Sequence, residues 1–341
     1  MSMSRRGFLS SAITGTAATA AAAVTGGAGN EAQALGMRHP KEPPKDAVGL
    51  LYDGTLCVGC KACVKACKEA NDRPAEISAQ QAAWNPELWD SPIDLSAKTF
   101  NIIKVYQHGT MATKDAEVNG YAFSKRQCLH CIDPSCVSAC PVSALTKDPL
   151  TGIVGYDADR CLGCRFCVWG CPYGVPKFEY DKTFGQIRKC ELCRHRLAKG
   201  ELPACVDVCP TGATLFGRLE DLKTEAHRRL TLKPGERTEF PRGDVSGKLG
   251  GSRPGHEKLV EAKYQQHVYG EKEMGGTQCL ALSAVPFEKL NLPTGVPEYS
   301  YPAVVEGLQE SVYQNMLTPA VVLAGLVALA KRNVHPGDVD D

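Results

Sequence analysis

Sixteen of the seventeen cysteines in this 341-residue chain fall into four groups with metal-ligand spacing. The first is Cys57-x2-Cys60-x2-Cys63-x3-Cys67, and the second is Cys128-x2-Cys131-x4-Cys136-x3-Cys140. The third, Cys161, Cys164, Cys167 and Cys171, repeats the first spacing. The fourth is stretched, with Cys190-x2-Cys193-x11-Cys205-x3-Cys209. Thiolates are soft donors that suit iron and sulfide. Three of them two residues apart wrap a tight loop around one cubane and reach three of its irons. The chemistry implied is one-electron transfer by [4Fe–4S] clusters.

The closing cysteine of each group lies three residues further on and precedes Pro141, Pro172 or Pro210 in three of the four. It opens a helix that points away and ligates the cluster of a partner loop, as in two-cluster bacterial ferredoxins. Twenty residues separate Cys140 from Cys161, about the separation such a unit needs, so groups two and three pair. Groups one and four pair by elimination. The expected ligand sets are Cys57, Cys60, Cys63 with Cys209; Cys190, Cys193, Cys205 with Cys67; Cys128, Cys131, Cys136 with Cys171; and Cys161, Cys164, Cys167 with Cys140. Each set is complete, so four [4Fe–4S] clusters are expected, with all sixteen cysteines as iron ligands.

Zinc sites also use Cys-x2-Cys pairs, but they do not call for a third cysteine two residues on, nor for the closing prolines. Disulfides would suit an exported chain, yet adjacent Cys-x2-Cys-x2-Cys runs make poor staples. A zinc- or disulfide-stabilised binding module is therefore the weaker reading. Cys279, in the expected strand 277–285, reads as a buried small hydrophobe.

Cubanes with four thiolates carry about two negative charges each, which backbone N–H groups and nearby cations must offset. The cysteine loops supply Lys61, Lys65, Lys68, Arg165, Arg188, Lys189, Arg194 and Arg196. Short β-rich runs at 99–107, 122–125, 152–156 and 213–217 flank the groups, and the last three suggest β-α-β ferredoxin units. Leu219, Leu222, Ala226 and Leu230 follow a helical period. Residues 231–256, rich in Gly, Pro, Arg and Lys, read as a surface excursion. The insert 71–119, with Trp84 and Trp89, is unlike a ferredoxin core, and its tryptophans suit either packing or a partner surface. Charge is nearly balanced, with no basic stripe that would suit nucleic acid. There is no phosphate loop, dinucleotide fingerprint or His-Glu hydrolase motif, so no catalytic residue is expected.

Both termini carry addresses. Residues 4–10 read Ser-Arg-Arg-Gly-Phe-Leu-Ser, followed by an Ala-, Gly- and Thr-rich stretch and the small residues around Ala32-Gln33-Ala34. This is the pattern of a twin-arginine export signal cleaved after about Ala34. Near the other end, Ser311 to Ala330 is free of charge and is followed by Lys331-Arg332. That length suits one membrane anchor with the two cations on the cytoplasmic side, the alternative being a buried helix.

The four-group pattern resembles the four-cluster electron-transfer subunits of bacterial respiratory oxidoreductases, those of formate dehydrogenase, dimethyl sulfoxide reductase and polysulfide reductase. The stretches 51–67, 119–157 and 269–292 look most like the ferredoxin-like subunit of hydrogenase-2-type [NiFe] hydrogenases. The resemblance covers nearly the whole chain, apart from 76–98 and 231–262. It implies an electron wire between [NiFe] hydrogenase small and large subunits and an integral membrane quinone-reactive subunit, on the periplasmic face of the inner membrane. The same wire could serve a molybdopterin oxidoreductase. The expected fold class is α+β: two ferredoxin-like two-cluster units with insertions, plus one C-terminal transmembrane helix. The expected divisions are 1–34 signal peptide; 35–127 first group with insert; 128–180 central two-cluster unit; 181–220 fourth group; 221–310 partner-facing extension; 311–332 anchor; and 333–341 tail.

Overall fold

The strand Val48–Asp53 has no polar face, and five of its six residues are buried. Such a run must be covered on both sides. It is the middle strand of a three-stranded sheet, parallel to Cys279–Leu282 and antiparallel to Thr214–Arg218. Leu50 stands between Cys279 and Phe216 in register. One face packs on the helix Leu219–Leu230: Leu51, Leu215 and Leu280 meet Leu219, Leu222 and Ala226. On the other, Leu50, Phe216 and Cys279 meet Leu192, Leu202, Cys205 and Val206 of the fourth cysteine group. The sheet thus holds the cysteine loops against a helical layer. Gly49 is required here, because a Cβ would sit 1.7 Å from the Gln278 carbonyl oxygen.

The computed structural model describes residues 37–84, 90–249 and 253–333. The twin-arginine segment, Trp89 and the tail beyond Asn333 lie outside them. Contacts divide the chain into Pro40–Ser300 and a second unit of the two flanking ends. Within the first, Ile102–Gln107 and Gly120–Arg126 run antiparallel, with Thr113–Lys114 parallel to the latter. Short hairpins Leu145–Lys147/Val154–Tyr156 and Lys177–Phe178/Ile187–Arg188 flank the third group. The helix over 219–230 has the expected bounds. The strand expected from residue 99 begins at Ile102, because Ser96 and Thr99 form a turn whose hydroxyls both bond Glu76.

Residues 231–256 differ from the expected excursion. They contain most of a hairpin, Arg237–Arg242 with Arg253–Leu259, bulged between Phe240 and Arg242. Pro241 sits at that bulge, where a missing N–H is tolerated. Phe240 is buried and lies under the Arg229 guanidinium, 5.1 Å from its ring centre.

The second unit holds two helices, Tyr301–Asn315 and Leu317–Asn333. Arg38 fastens the chain before the core to the first, donating from its backbone N to Ala303 O and from Nε to Glu306 at 2.6 Å. The stretch Tyr301–Leu329 is long and apolar enough to cross a membrane, and Val321, Leu323 and Leu326 are exposed along it.

Candidate iron–sulfur sites

Each cysteine group begins with the same backbone device. The residue two after the first cysteine has positive φ in all four: Gly59 (68°), His130 (49°), Gly163 (70°) and Leu192 (53°). In groups one, three and four this turns its N–H onto the first sulfur, 3.4 Å from Cys57, Cys161 and Cys190. Gly59 also has no room for a side chain, since a Cβ would meet the Phe123 ring at 2.4 Å. His130 carries the left-handed conformation without being glycine. It is fully buried, with Nδ1 accepting from Val154 N at 3.0 Å. In groups one and three the next basic residue, Lys61 or Arg165, is also left-handed and starts the helix that carries the third cysteine.

The groups come together in crossed pairs. The helix Ala62–Ala70, with Cys63 and Cys67, packs on Ala204–Asp207, with Cys205. The helix Ser135–Ser138, with Cys136, packs on Phe166–Gly170, with Cys167. The same crossing appears in the electrostatic neighbours of the thiols. Cys209 acts on Cys57 and Cys63; Cys67 acts on Cys190; Cys171 acts on Cys131 and Cys136; and Cys140 acts on Cys167. One recess is lined by Cys140, Cys161, Cys164 and Cys167 together, with Tyr156 and Ile187 behind them. Between sets, Cys63 feels Cys205, Cys190 feels Cys128, and Cys136 feels Cys167. Groups one and four thus lie together, as do groups two and three, and Cys190 beside Cys128 joins the two pairs. Cys60 and Cys164 are exposed, while Cys131 and Cys190 are half-buried.

The donor sets fit iron–sulfur clusters. Burial pushes the Cys63 and Cys67 thiols up to about 12, and neighbouring cysteines add to the shift. Such sulfurs hold a proton unless a metal takes its place. All seventeen thiols are free of disulfides, and among the described residues no three His, Cys, Asp or Glu converge on a single ion. A zinc ion, at about 2.3 Å from each sulfur, would need that convergence. Two buried hydroxyls, of Tyr52 and Tyr156, have no oxygen or nitrogen partner and face the first sulfurs, Cys57 and Cys161. Each tyrosine stands five residues before its cysteine. That repeat is visible in the sequence and could have marked both as donors to cluster sulfur.

The loop cations divide by partner. Lys68 is buried, but it is neutralised by Asp90 at 2.7 Å and Glu76 at 3.5 Å. Lys65, Arg188, Arg194 and Arg196 pair with Glu69, Glu179, Glu191 and Asp207. Arg165 stacks over Phe178 and Tyr180. Lys189 is buried and donates to the carbonyls of Val154 and Cys190. Sequence reasoning missed Lys147, which donates to Cys131 O, Gly152 O and Gln278 Oε1. It also missed Lys125, because both lie on strands outside the cysteine loops. Cys279 is buried in a strand, as expected.

Comparison with known proteins adds what geometry leaves open. Residues 119–219 match the 4Fe-4S dicluster domain family. Over 99% of its length, and 99% of theirs, the chain is 46% identical to the hydrogenase-2 operon protein HybA of Escherichia coli O157:H7 and of Shigella flexneri. The chain belongs to the HybA family. Across 54% of its length it is also 34% identical to the formate dehydrogenase iron-sulfur subunit of Haemophilus influenzae, covering 56% of that protein. The chain thus shares about half of its length with subunits named for another oxidoreductase.

Proposed function

We propose that this chain is the electron-transfer subunit of a membrane-bound hydrogenase, holding four [4Fe–4S] clusters. It links a [NiFe] hydrogenase small subunit, with its large subunit, to an integral membrane quinone-reactive subunit. The reading is supported by full-length similarity to a hydrogenase-2 operon protein, joined to the packing of the first cysteine group on the fourth and of the second on the third. When bound, the clusters supply one-electron carriage, with no substrate chemistry of their own. The chain's part is to hold them and to leave Cys60 and Cys164 at the surface as points of entry and exit. Leu162, Phe166 and Trp169 (89%), close to Cys164 in sequence, and Phe184 (91%) are exposed, apolar surface of the kind a partner chain covers. Catalysis belongs to the partners.

Twin-arginine export delivers the folded chain to the periplasmic face, and the apolar stretch 311–332 anchors it there. Deleting residues from Ser311 onward is expected to leave all four clusters intact while releasing the subunit from the membrane. Hydrogen-dependent quinone reduction falls sharply, and hydrogen oxidation with a soluble dye survives. Full quinone reduction by the truncated protein would remove the anchor from the account. A second reading, the same role beside a molybdopterin enzyme, is favoured by the formate dehydrogenase relatives. Partner chains copurified from native membranes decide between the two.

A further inference from the structure

Lys125 lies on the strand Gly120–Arg126 and is 5% exposed. Its Nζ donates to Thr214 Oγ1 at 3.3 Å, and among the described residues no carboxylate pairs with it. This sets it apart from Lys68, which is equally buried but is met by two carboxylates. A buried ammonium without a counter-ion is destabilising by several kcal/mol, so an anion must stand near it. The groups that act on it are sulfurs: Cys205, Cys63 and Cys209. In turn its charge is felt at Cys63 and Cys67. Two of these cysteines belong to the first set and two to the fourth.

We infer that Lys125 is the shared counter-charge of the first and fourth sites, a positioning residue that raises the reduction potentials of both together. The reasoning is electrostatic. Each site gains one unit of negative charge on reduction, and no proton need accompany it. A fixed cation between two such sites favours the more negative state of each, and a low-dielectric setting strengthens the effect. Lys147, half-buried, and Lys189, buried, differ, being bonded to carbonyls and facing the second set. Lys125 by contrast stands beside cysteines of the first and fourth groups. The consequence is that one charge moves the potentials of both sites in the same direction.

This inference rests on the four-cluster reading, and the experiment separates the two. The full chain, purified anaerobically with its clusters, is titrated potentiometrically with electron paramagnetic resonance detection as wild type, Lys125→Met, Lys125→Gln and Lys125→Arg. Four one-electron signals in the wild type test the cluster reading alone. In Lys125→Met and Lys125→Gln, two midpoint potentials are expected to move negative while the other two stay in place. Lys125→Arg, which keeps the charge, is expected to restore them. Iron lost from Lys125→Met and Lys125→Gln, but kept by Lys125→Arg, would support the same role for the charge by another readout. Unchanged potentials in a fully loaded Lys125→Met or Lys125→Gln, or an equal shift of all four, would overturn the inference and leave the cluster reading intact.

Discussion

Asp53 ends the central strand four residues before Cys57, so whatever fixes it also fixes the first ligand loop. Its carboxylate is fully buried. Oδ2 accepts from Arg229 Nη1 and from Tyr264 OH, each at 2.8 Å. Oδ1 accepts from Thr55 N at 2.9 Å and Thr55 Oγ1 at 2.6 Å. Arg229 is equally buried, and its Nε donates to Glu225 at 2.7 Å. Asp53→Asn keeps the shape but turns an amide N–H₂ toward the guanidinium or abandons the Thr55 bonds. Breaking a buried pair costs ~3–5 kcal/mol, and the lower end applies because Glu225 still meets Arg229. At about 2–4 °C per kcal/mol for a domain of this size, the melting temperature should fall by about 6–12 °C. The assay is calorimetry on anaerobic protein at one fixed scan rate, since cluster loss makes unfolding irreversible. Arg229→Met added to Asp53→Asn removes the stranded cation, while Glu225 keeps Arg228 at 2.7 and 2.8 Å. The double variant should therefore lose less than the sum of the singles. A fall of under about 2 °C for Asp53→Asn, or strict additivity, would refute the reasoning.

Cys171→Ser is expected to perturb the cluster held by Cys128, Cys131 and Cys136, read as one altered paramagnetic signal; coordinates placing Cys171 on the cubane of its sequence neighbours would contradict it. Glu225 is held below the usual glutamate range: burial opposes its charge, but its bonds to Arg228 and Arg229 outweigh it. The stability it contributes is complete above its unfolded value of about 4.5 and is lost as pH falls through the lower folded value, so Glu225→Gln should flatten the acid-side fall in melting temperature. Replacing Arg5 and Arg6 by Lys should strand loaded protein in the cytoplasm; unchanged delivery, read by fractionation, would mean that the leader does not direct export.

The four cysteine groups were legible because they are local, each falling within about twenty residues, although Cys140, Cys171 and Cys209 follow short helices where the sequence suggested that they open them. The helix over 219–230 was legible for the same reason, its apolar period being short. The sheet was not. Val48–Asp53 finds its parallel partner Cys279–Leu282 from near the opposite end of the Pro40–Ser300 unit, and nothing in either strand names the other. Lys125 was invisible because its cysteine neighbours come from both outer groups. His130 and Leu192 looked like ordinary loop residues, and only the backbone shows them in the place that Gly59 and Gly163 occupy. The hairpin over 237–259 was hidden by composition: glycine, proline and charge suggested solvent, while Phe240 and Val245 pack it on the core and Asp244 bridges to Phe216.

The most direct test is the iron and acid-labile sulfide content of anaerobically purified chain, with metal analysis on the same sample. About sixteen of each per chain, from four cubanes on sixteen thiolates, is the predicted result. Zinc with little sulfide, or about eight irons, would contradict the account.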